Sequence, residues 1–421
     1  MIDLNLMGKK AREASYILSG IQTEKKNLFL NKLAETLEMR MSEILSENAE
    51  DVSASKNVLT PAMVDRLTLT ADRIHGIIRD VLNVSRLSDP VGEIFSPMEH
   101  KEGLKICKKR VPIGVIAVIY ESRPNVTIDS ACLMIKSGNA SILRGGKETI
   151  RTNSVLIACV RDALDQSGIP ADAVQFIDTP DRNIMMELLQ MDESIDMLIP
   201  RGGAGLHDFC RKNSRIPVIT GGIGICHLFV DKTADQEKSI RVIQNAKVQR
   251  PTVCNAIETI LVDQSIASDF IPKVCSVLSL SGVRFKVDQT AYEILNETKN
   301  PNLMYDLAEK NDFDTEWLSL ILGIKVVCNV DEAIQHIQLH STKHSDGILT
   351  ENAENAQKFI EKVNSACVYV NASTRFTDGA ELGLGAEIAI STQPLHARGP
   401  MALQELTTYK WIIQGDYHFR K

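Results

Sequence analysis

Between residues 113 and 220, short apolar segments alternate with stretches of helical periodicity, and this alternation constrains the fold more than any other feature. The apolar segments are residues 113–120, 140–144, 174–177, 195–199 and 218–220, and the helical stretches are residues 124–136, 148–166, 182–190 and 204–212. Residues 113–120 form a near-continuous apolar run, as expected of a strand covered by helices on both faces. Such alternation predicts an α/β fold with a doubly wound, Rossmann-type parallel sheet, which binds nucleotides at the carboxyl ends of its strands.

A second region of α/β character follows residue 231. Residues 235–247 have the spacing of an amphipathic helix, and Thr233 with Gln236 matches a capping box at its start. Residues 257–262 have the pattern of a buried strand. Further helices are predicted at residues 265–278, 331–339 and 353–363, and further strands at residues 325–327 and 367–370. Because 421 residues exceed what one core usually supports, we expect two domains.

The flanking segments predict a helical beginning and a β-rich end. Thr23 and Thr60 are each placed to begin an amphipathic helix. Residues 98–112 alternate around a turn at residues 101–103, as in an exposed hairpin. Residues 407–414 are rich in β-forming side chains and have no partner nearby in the sequence. A terminal strand of this kind often pairs with another subunit or with a distant hairpin.

Charge and cysteine usage exclude several classes of protein. The net charge of -7 and the lack of a basic block give nucleic-acid binding no electrostatic support. No apolar run approaches the length of a membrane span, and the N-terminus lacks the pattern of a signal peptide, so we expect a cytoplasmic protein. Nine cysteines without a C-x-x-C pair argue against a disulfide framework and a zinc cluster. We therefore expect reduced thiols and no metal.

Cys254 lies on a short loop between the helix at residues 235–247 and the strand at residues 257–262. Pro251 ends the helix, because proline has no N–H and clashes with the preceding turn. A thiol on a rigid loop, flanked by small and amide side chains, is where a cysteine nucleophile could be presented. Cys254 could also be one more small buried residue, since free cysteines are usually internal and inert.

Two glycine-rich turns follow predicted strands. One is Arg144-Gly145-Gly146, and the other is Arg-Gly-Gly-Ala-Gly at residues 201–205, which opens a helix. Glycine lets a phosphate approach backbone N–H groups at a helix N-terminus, and a neighbouring arginine supplies charge. Neither turn is G-x-G-x-x-G, and tight turns also need glycine for conformational reasons. Residues 376–398 form a charged, glycine-rich stretch of the kind that builds a ligand site.

Longer motifs are distributed along nearly the whole chain. They are IGVI at residues 113–116, YESRPNVT at 120–127, KSGNA at 136–140, RGG at 144–146, PRGGAGL at 200–206, QRP at 249–251, CN at 254–255, VNASTRFTDG at 370–379, GAEI at 385–388, STQ at 391–393 and HARGPM at 396–401. Together these motifs closely resemble the γ-glutamyl phosphate reductase family, within the aldehyde dehydrogenase superfamily. The resemblance implies NADPH-dependent reduction of γ-glutamyl phosphate to glutamate 5-semialdehyde and phosphate, the second step from glutamate to proline.

The resemblance assigns the chemistry to two residues. Cys254 corresponds to the superfamily's nucleophile, whose thiolate attacks the acyl phosphate to give a thioester, which hydride converts to a thiohemiacetal. Both steps pass through an oxyanion that needs donors placed in advance. Asn125 and the backbone N–H of Cys254 are the donors implied, although an asparagine could instead tie down a turn. Thr220 stands where hydrolytic members carry a water-activating glutamate, so the thioester is expected to survive for exchange with phosphate.

Cofactor and substrate residues are implied by the same motifs. Arg144 is expected to meet the 2′-phosphate of NADPH, Gly202 and Gly203 to form the turn beneath the pyrophosphate, and Glu387 to hold the nicotinamide ribose. Glu148 is interpreted as scaffold. Candidate cations for the substrate's carboxylate and phosphate are Arg123, Arg250, His396 and Arg398, each of which could instead be a structural ion pair or surface charge.

The implied architecture has three parts. The NADP-binding domain comprises residues 1–97, 113–230 and 372–391, and the catalytic domain comprises residues 231–371. Residues 98–112 and 400–421 form a small β oligomerisation flap, in which the hairpin pairs with residues 407–414 across a subunit interface. A homo-oligomer is therefore expected, with substrate supplied by a separate glutamate 5-kinase. A hydrolytic or CoA-acylating aldehyde dehydrogenase and a non-enzymatic dinucleotide-binding protein are the alternatives.

Overall fold

The computed structural model describes residues 2–420, apart from the side chains of residues 61 and 62, and the chain forms two compact units. The first unit holds the chain up to Thr220, Gly383–Ala389 and the chain from Met401 onward. The second unit holds Gly221–Leu382 and Ile390–Pro400. The second unit thus begins ahead of the predicted start of the catalytic domain at residue 231, because the strand at Cys226–Val230 belongs to its sheet.

Five helices open the first unit. They are α1 (Leu4–Leu18), α2 (Thr23–Met39), α3 (Met41–Ser55), α4 (Pro61–Leu67) and α5 (Ala71–Arg86). Thr60 caps α4 as predicted, since its hydroxyl accepts from the N–H of Met63. The prediction that Thr23 caps α2 is wrong. Thr23 is the first residue of α2, and its hydroxyl donates to Asp89, so a tertiary acceptor takes the group that a cap would use.

A four-stranded parallel sheet forms the core of the first unit. Its strands are β3 (Val115–Tyr120), β4 (Ala140–Arg144), β5 (Val174–Phe176) and β6 (Met197–Arg201), in the order β5-β4-β3-β6. The helices that follow them are α6 (Asn125–Lys136), α7 (Ile150–Gln166), α8 (Arg182–Leu188) and α9 (Ala204–Asn213). The predicted fifth strand is wrong: Val218 makes one isolated bridge to Leu198, because Pro217 has no N–H to donate and two glycines follow Thr220.

A seven-stranded parallel sheet forms the core of the second unit. Its strands are β7 (Cys226–Val230), β8 (Ile257–Asp263), β9 (Arg284–Val287), β10 (Tyr305–Leu307), β11 (Ile321–Val327), β12 (Ser345–Leu349) and β13 (Cys367–Val370). They lie in the order β10-β9-β11-β8-β7-β12-β13. Its helices are α10 (Gln236–Val248), α11 (Gln264–Ser279), α12 (Gln289–Thr298), α13 (Val330–His340) and α14 (Ala353–Lys362). Asp235 caps α10, so the predicted Thr233–Gln236 capping box is wrong; the Thr233 hydroxyl instead donates to Asp231.

The remaining elements are short or lie near the chain end. Two short strands, β14 (Ala389–Ser391) and β15 (Gly399–Met401), precede β16 (Thr407–Gln414), and 3-10 turns occur at Lys147–Thr149, Ala171–Ala173, Asp312–Asp314 and Thr374–Phe376. Strands β1 (Ile94–Glu99) and β2 (Lys105–Pro112) form the predicted hairpin, and β16 pairs antiparallel with β2 in the same chain. The expectation that these strands pair across a subunit interface is therefore wrong, since β2 finds its partner within one chain.

A lysine–glutamate ion pair lies inside the core of the second unit. The ammonium of Lys247, near the end of α10, is 2.5 Å from Oε2 of Glu258 in β8, and both side chains are essentially inaccessible to solvent. Oε1 of Glu258 also accepts from the N–H of Leu318. Among the described residues, no helix is both long and apolar enough to cross a membrane.

We expect Glu258→Gln to lower the free energy of unfolding by about 3–5 kcal/mol, because it leaves the Lys247 ammonium buried without a counter-charge. Denaturant unfolding measures the change. Asp269→Asn, which removes the carboxylate of the solvent-exposed Lys273–Asp269 pair, is the control and should leave stability nearly unchanged. Equal effects of the two substitutions would contradict a structural role for the buried pair.

Candidate active site

The loop that carries Cys254 comprises residues 249–256 and is fixed at both ends by the Lys247–Glu258 pair. Lys247 lies in the last turn of α10, and Glu258 is the second residue of β8. Burial raises the pKa of Glu258 to about 7, although the Lys247 ammonium opposes that shift. Within this loop Cys254 is half-buried. All nine cysteines of the chain are free thiols.

The backbone of Cys254 packs against Gly224, in the segment that leads into β7. A Cβ added to Gly224 would lie 1.4 Å from the carbonyl oxygen of Cys254, so only glycine fits this position. The same carbonyl accepts from the thiol of Cys226, at 3.2 Å. The N–H of Gly224 donates to Glu316, at 2.7 Å. The glycines at residues 221–224 thus permit a close backbone contact beneath the candidate nucleophile.

The other side of the loop is held by residues 374–377. The amide of Asn255 donates to the carbonyl of Thr377 at 2.9 Å, and the backbone carbonyl of Asn255 accepts from the Thr374 hydroxyl at 2.6 Å. Arg375 donates through Nε to Gln249 at 3.1 Å and through a terminal nitrogen to Asn255. Sequence reasoning missed Arg375 as a site residue, although it lies inside the VNASTRFTDG motif. Its contacts span the Cys254 loop from Gln249 to Asn255.

The structure places the four predicted substrate cations in different surroundings. Arg250 is exposed on the Cys254 loop, and His396 is exposed in the segment between β14 and β15. The guanidinium of Arg398 donates to the side chain of Asn364 at 2.8 Å and also to the backbone carbonyl of that residue, which are the contacts of a structural arginine. Arg123 is half-buried and belongs to the first unit. Only Arg250 shares the loop with Cys254.

Asn125 is the first residue of α6, in the first unit. Its amide nitrogen donates to Oδ2 of Asp129, one helical turn further on, at 2.9 Å. Burial raises the pKa of Asp129 to about 6. The ionised carboxylate can only accept, so it fixes which end of the Asn125 amide is the nitrogen.

The predicted cofactor residues gather at the carboxyl ends of the strands in the first unit. Arg144 ends β4, and Gly202 and Gly203 follow β6 and open α9. A terminal nitrogen of Arg144 donates to the carbonyl of Asp181 at 3.2 Å, whereas its buried Nε has no hydrogen-bond partner. The N–H of Gly203 donates to Glu121 at 3.0 Å. A Cβ at Gly203 would meet nothing within 4 Å, so this turn leaves open space above the backbone.

These residues fit a dinucleotide at the carboxyl edge of the sheet. The open space at Gly203 allows close approach to a helix N-terminus, and the unpartnered Nε of Arg144 leaves a donor for an anion. Glu148 accepts from both the N–H and the hydroxyl of Ser122, in agreement with its interpretation as scaffold. Glu387 is half-buried in the first unit. Among the described residues, no cluster of His, Cys, Asp and Glu is placed to hold a metal ion.

A nucleotide-binding parallel sheet and a second α/β unit with a thiol on a fixed loop are the parts of an aldehyde dehydrogenase. The sequence model described as "Aldehyde dehydrogenase family" matches residues 3–289, and the chain belongs to that family. Its members use nicotinamide dinucleotide cofactors and act on small molecules. An acetylating aldehyde dehydrogenase from Geobacillus thermoglucosidasius, 16% identical with a TM-score of 0.68 over 100% of both chains, shares the fold.

Relatives of higher sequence identity show to which family within the aldehyde dehydrogenases the chain belongs. A protein from Psychromonas ingrahamii named gamma-glutamyl phosphate reductase is 56% identical over 416 residues, which are 99% of each chain. The crystal structure of gamma-glutamyl phosphate reductase from Thermotoga maritima covers 100% of both chains, with 46% identity and a TM-score of 0.95. Within the aldehyde dehydrogenases, the chain therefore belongs to the gamma-glutamyl phosphate reductase family. The fold class and family predicted from the sequence motifs are confirmed.

Gly224→Ala should reduce turnover by about 100-fold or more, because the added methyl group would displace the Cys254 backbone and a small misplacement of a reacting group costs that much. The rate of Cys254 alkylation, followed by peptide mass spectrometry, should change with it. Gly76→Ala is the control, since a Cβ there is 3.8 Å from its nearest neighbour. Full activity of Gly224→Ala would show that this backbone contact does not position the thiol.

Asp129→Asn should become more stable relative to the native protein as the pH rises from about 4 to about 7. The folded-state pKa of Asp129 is about 6, above the value of roughly 3.9 in an unfolded chain. Between these values the folded protein binds more protons than the unfolded chain, so native stability falls as the pH rises. Denaturant unfolding of both proteins across this pH range measures the difference in their free energies of unfolding. A stability difference that does not vary with pH would contradict the raised pKa.

Proposed function

We propose that this chain reduces L-glutamyl 5-phosphate to L-glutamate 5-semialdehyde and phosphate with NADPH, the second step of proline biosynthesis from glutamate. The observation that carries the proposal is the Cys254 loop: a half-buried thiol on a segment held by Gly224, Asn255 and a buried ion pair, within a chain whose relatives bear that enzyme's name. A thiol held in one place is what acyl transfer to cysteine requires.

In the proposed reaction the Cys254 thiolate attacks the acyl carbon of the substrate. The bond from that carbon to the phosphate oxygen breaks, phosphate leaves with the electron pair, and a thioester forms. A nicotinamide dinucleotide held by Arg144, Gly202, Gly203 and Glu387 would supply a hydride to the acyl carbon, which would leave the oxyanion of a thiohemiacetal on Cys254. The C–S bond then breaks, which releases the aldehyde and returns the thiolate.

Asn125 and the backbone N–H of Cys254 are the proposed donors to the oxyanion. The Asn125 amide has two N–H bonds, and Asp129 accepts one of them. The second is therefore held in a defined direction and is the one assigned to the oxyanion. Asp129 acts through Asn125 as a positioning residue.

Release to phosphate rather than to water follows from the side chain at residue 220. Thr220 has no carboxylate that could deprotonate a water molecule, so a thioester on Cys254 would persist until phosphate or reduced cofactor reacts with it. This distinguishes the proposed activity from that of a hydrolytic aldehyde dehydrogenase.

The preference for NADPH is assigned to Arg144, whose unpartnered Nε suits the 2′-phosphate. Gly202 and Gly203 are proposed to lie beneath the pyrophosphate and Glu387 to hold the nicotinamide ribose. The predicted NADP-binding domain, catalytic domain and oligomerisation flap are kept as functional assignments, except that residues 221–230 and 372–382 are moved to the catalytic domain, because they belong to the second unit. A homo-oligomer in the cytoplasm, supplied with substrate by a separate glutamate 5-kinase, completes the proposal.

Oxidation of glutamate 5-semialdehyde by NADP, the reverse direction, should require inorganic phosphate for more than one turnover. Cys254→Ala should abolish this activity and retain NADPH binding, measured by fluorescence titration, because it removes the nucleophile alone. Cys328→Ala, at an exposed cysteine of the same unit, is the control and should remain active. Steady oxidation of equal rate without phosphate would contradict the reductase assignment, and full activity of Cys254→Ala would contradict the nucleophile.

A further inference from the structure

Two arginines lie beside the candidate nucleophile without a carboxylate partner. Arg250 is on the Cys254 loop and exposed, and Arg375 is half-buried with hydrogen bonds to Gln249 and Asn255 of the same loop. In the part of the chain that the structure describes, no Asp or Glu is within ion-pair distance of either guanidinium. By contrast, Lys247 of the same unit is neutralised by Glu258.

Arg375 retains donor capacity after its contacts with the loop are counted. A guanidinium has five N–H donors in a planar fork. Arg375 uses Nε toward Gln249 and one terminal nitrogen toward Asn255. Its other terminal nitrogen has no acceptor among the described residues. Since Gln249 and Asn255 flank Cys254, the loop contacts hold this fork against the segment from which the thiol projects.

The electrostatics of the pair favour an anion. Burial lowers the pKa of Arg375, and the neighbouring Arg250 cation lowers it further, whereas Cys254 and Asp378 oppose the shift. Two like charges held close together, one of them partly desolvated, are stabilised when an anion binds between them. A dianion recognised by two guanidiniums is the ordinary form of phosphate recognition by arginine.

The substrate carries two anionic groups, and their distances from the reacting carbon differ. Only the bridging oxygen separates phosphorus from the carbon that the thiolate attacks, whereas the α-carboxylate lies at the far end of the glutamyl chain. The guanidinium of Arg375, which is hydrogen-bonded to Asn255 next to Cys254, is therefore placed to bind the phosphate rather than the α-carboxylate. We infer that Arg250 and Arg375 form the phosphate subsite of this enzyme, an assignment that rests on the proposed function.

In this subsite the two arginines act on the bond that breaks. When the thiolate attacks, the acyl C–O bond breaks and its electron pair passes to the phosphate oxygen, where the guanidiniums meet the growing negative charge. In reverse, they hold inorganic phosphate while one of its oxygens attacks the thioester carbon and the C–S bond breaks. Thioester formation from semialdehyde and NADP involves no phosphate, so that half-reaction should not depend on this subsite.

This separation of half-reactions gives the test. In semialdehyde oxidation, Arg250→Gln and Arg375→Gln should each raise the KM for phosphate by at least about tenfold, the effect of losing one charged contact. The KM for semialdehyde should stay within about twofold of the native value, since the substitutions remove no contact with that substrate. Without phosphate, the variants should still form a burst of one NADPH per active site, as the native enzyme does. Arg375→Lys should recover part of the phosphate affinity, because it keeps the charge and loses the fork.

Arg241→Gln, at an exposed arginine on α10 that makes no ion pair among the described residues, is the matched control and should behave as the native enzyme. A raised KM for semialdehyde with unchanged KM for phosphate would overturn the inference and assign the arginines to the carboxylate. A reduced burst rate with both KM values unchanged would also overturn it and leave Arg375 as a loop contact. Arg250→Gln removes no described contact, so the test stands even if Arg375 variants fail to fold. Phosphate-independent turnover by the native enzyme would instead refute the proposed function itself.

Discussion

The buried pair of Lys247 and Glu258 joins the two ends of the loop on which the candidate chemistry depends. Both charges lie in the interior, where the loss of hydration offsets much of their attraction, and an apolar pair of similar volume could be equally stable. The ion pair differs from an apolar contact because its hydrogen bond is directional, so only one relative placement of the two side chains satisfies it. It therefore fixes how far the end of α10 stands from the start of β8, and with that distance the path available to residues 249–256.

The loop is also held from two other directions. Gly224 lies so close to the Cys254 carbonyl that no other residue fits, and residues 374–377 contact Asn255 through its side chain and its backbone. Three independent contacts on one short segment restrict it to a single path, which is what places a nucleophile in advance of its substrate. Cys254 itself is half-buried in this segment.

Features that depend on a local pattern could be predicted from the sequence, and features that depend on distant contacts could not. Strand β4 has the predicted bounds, because turn residues, Gly138-Asn139 and Gly145-Gly146, delimit it on both sides. The cap assigned to Thr233 was wrong because Asp235 caps the helix, while the Thr233 hydroxyl donates to Asp231. The cap assigned to Thr23 was wrong because its hydroxyl donates to Asp89, 66 positions away in the chain. Arg375 was missed for the same reason: its contacts join residues about 120 positions apart in the chain.

The partners of the terminal guanidinium nitrogens separate arginines that the sequence treats alike. Arg398 and Arg375 both lie in motifs of the family, but Arg398 directs its terminal nitrogens to Asn364, whereas Arg375 keeps one terminal nitrogen unused beside a second cation. An enzyme that returns its acyl group to phosphate must hold that phosphate against the acyl carbon, and the role proposed for Thr220 concerns only the competing reaction with water. In the proposed reaction, Thr220 would account for the survival of the thioester, and a cationic subsite at Arg250 and Arg375 would account for its use.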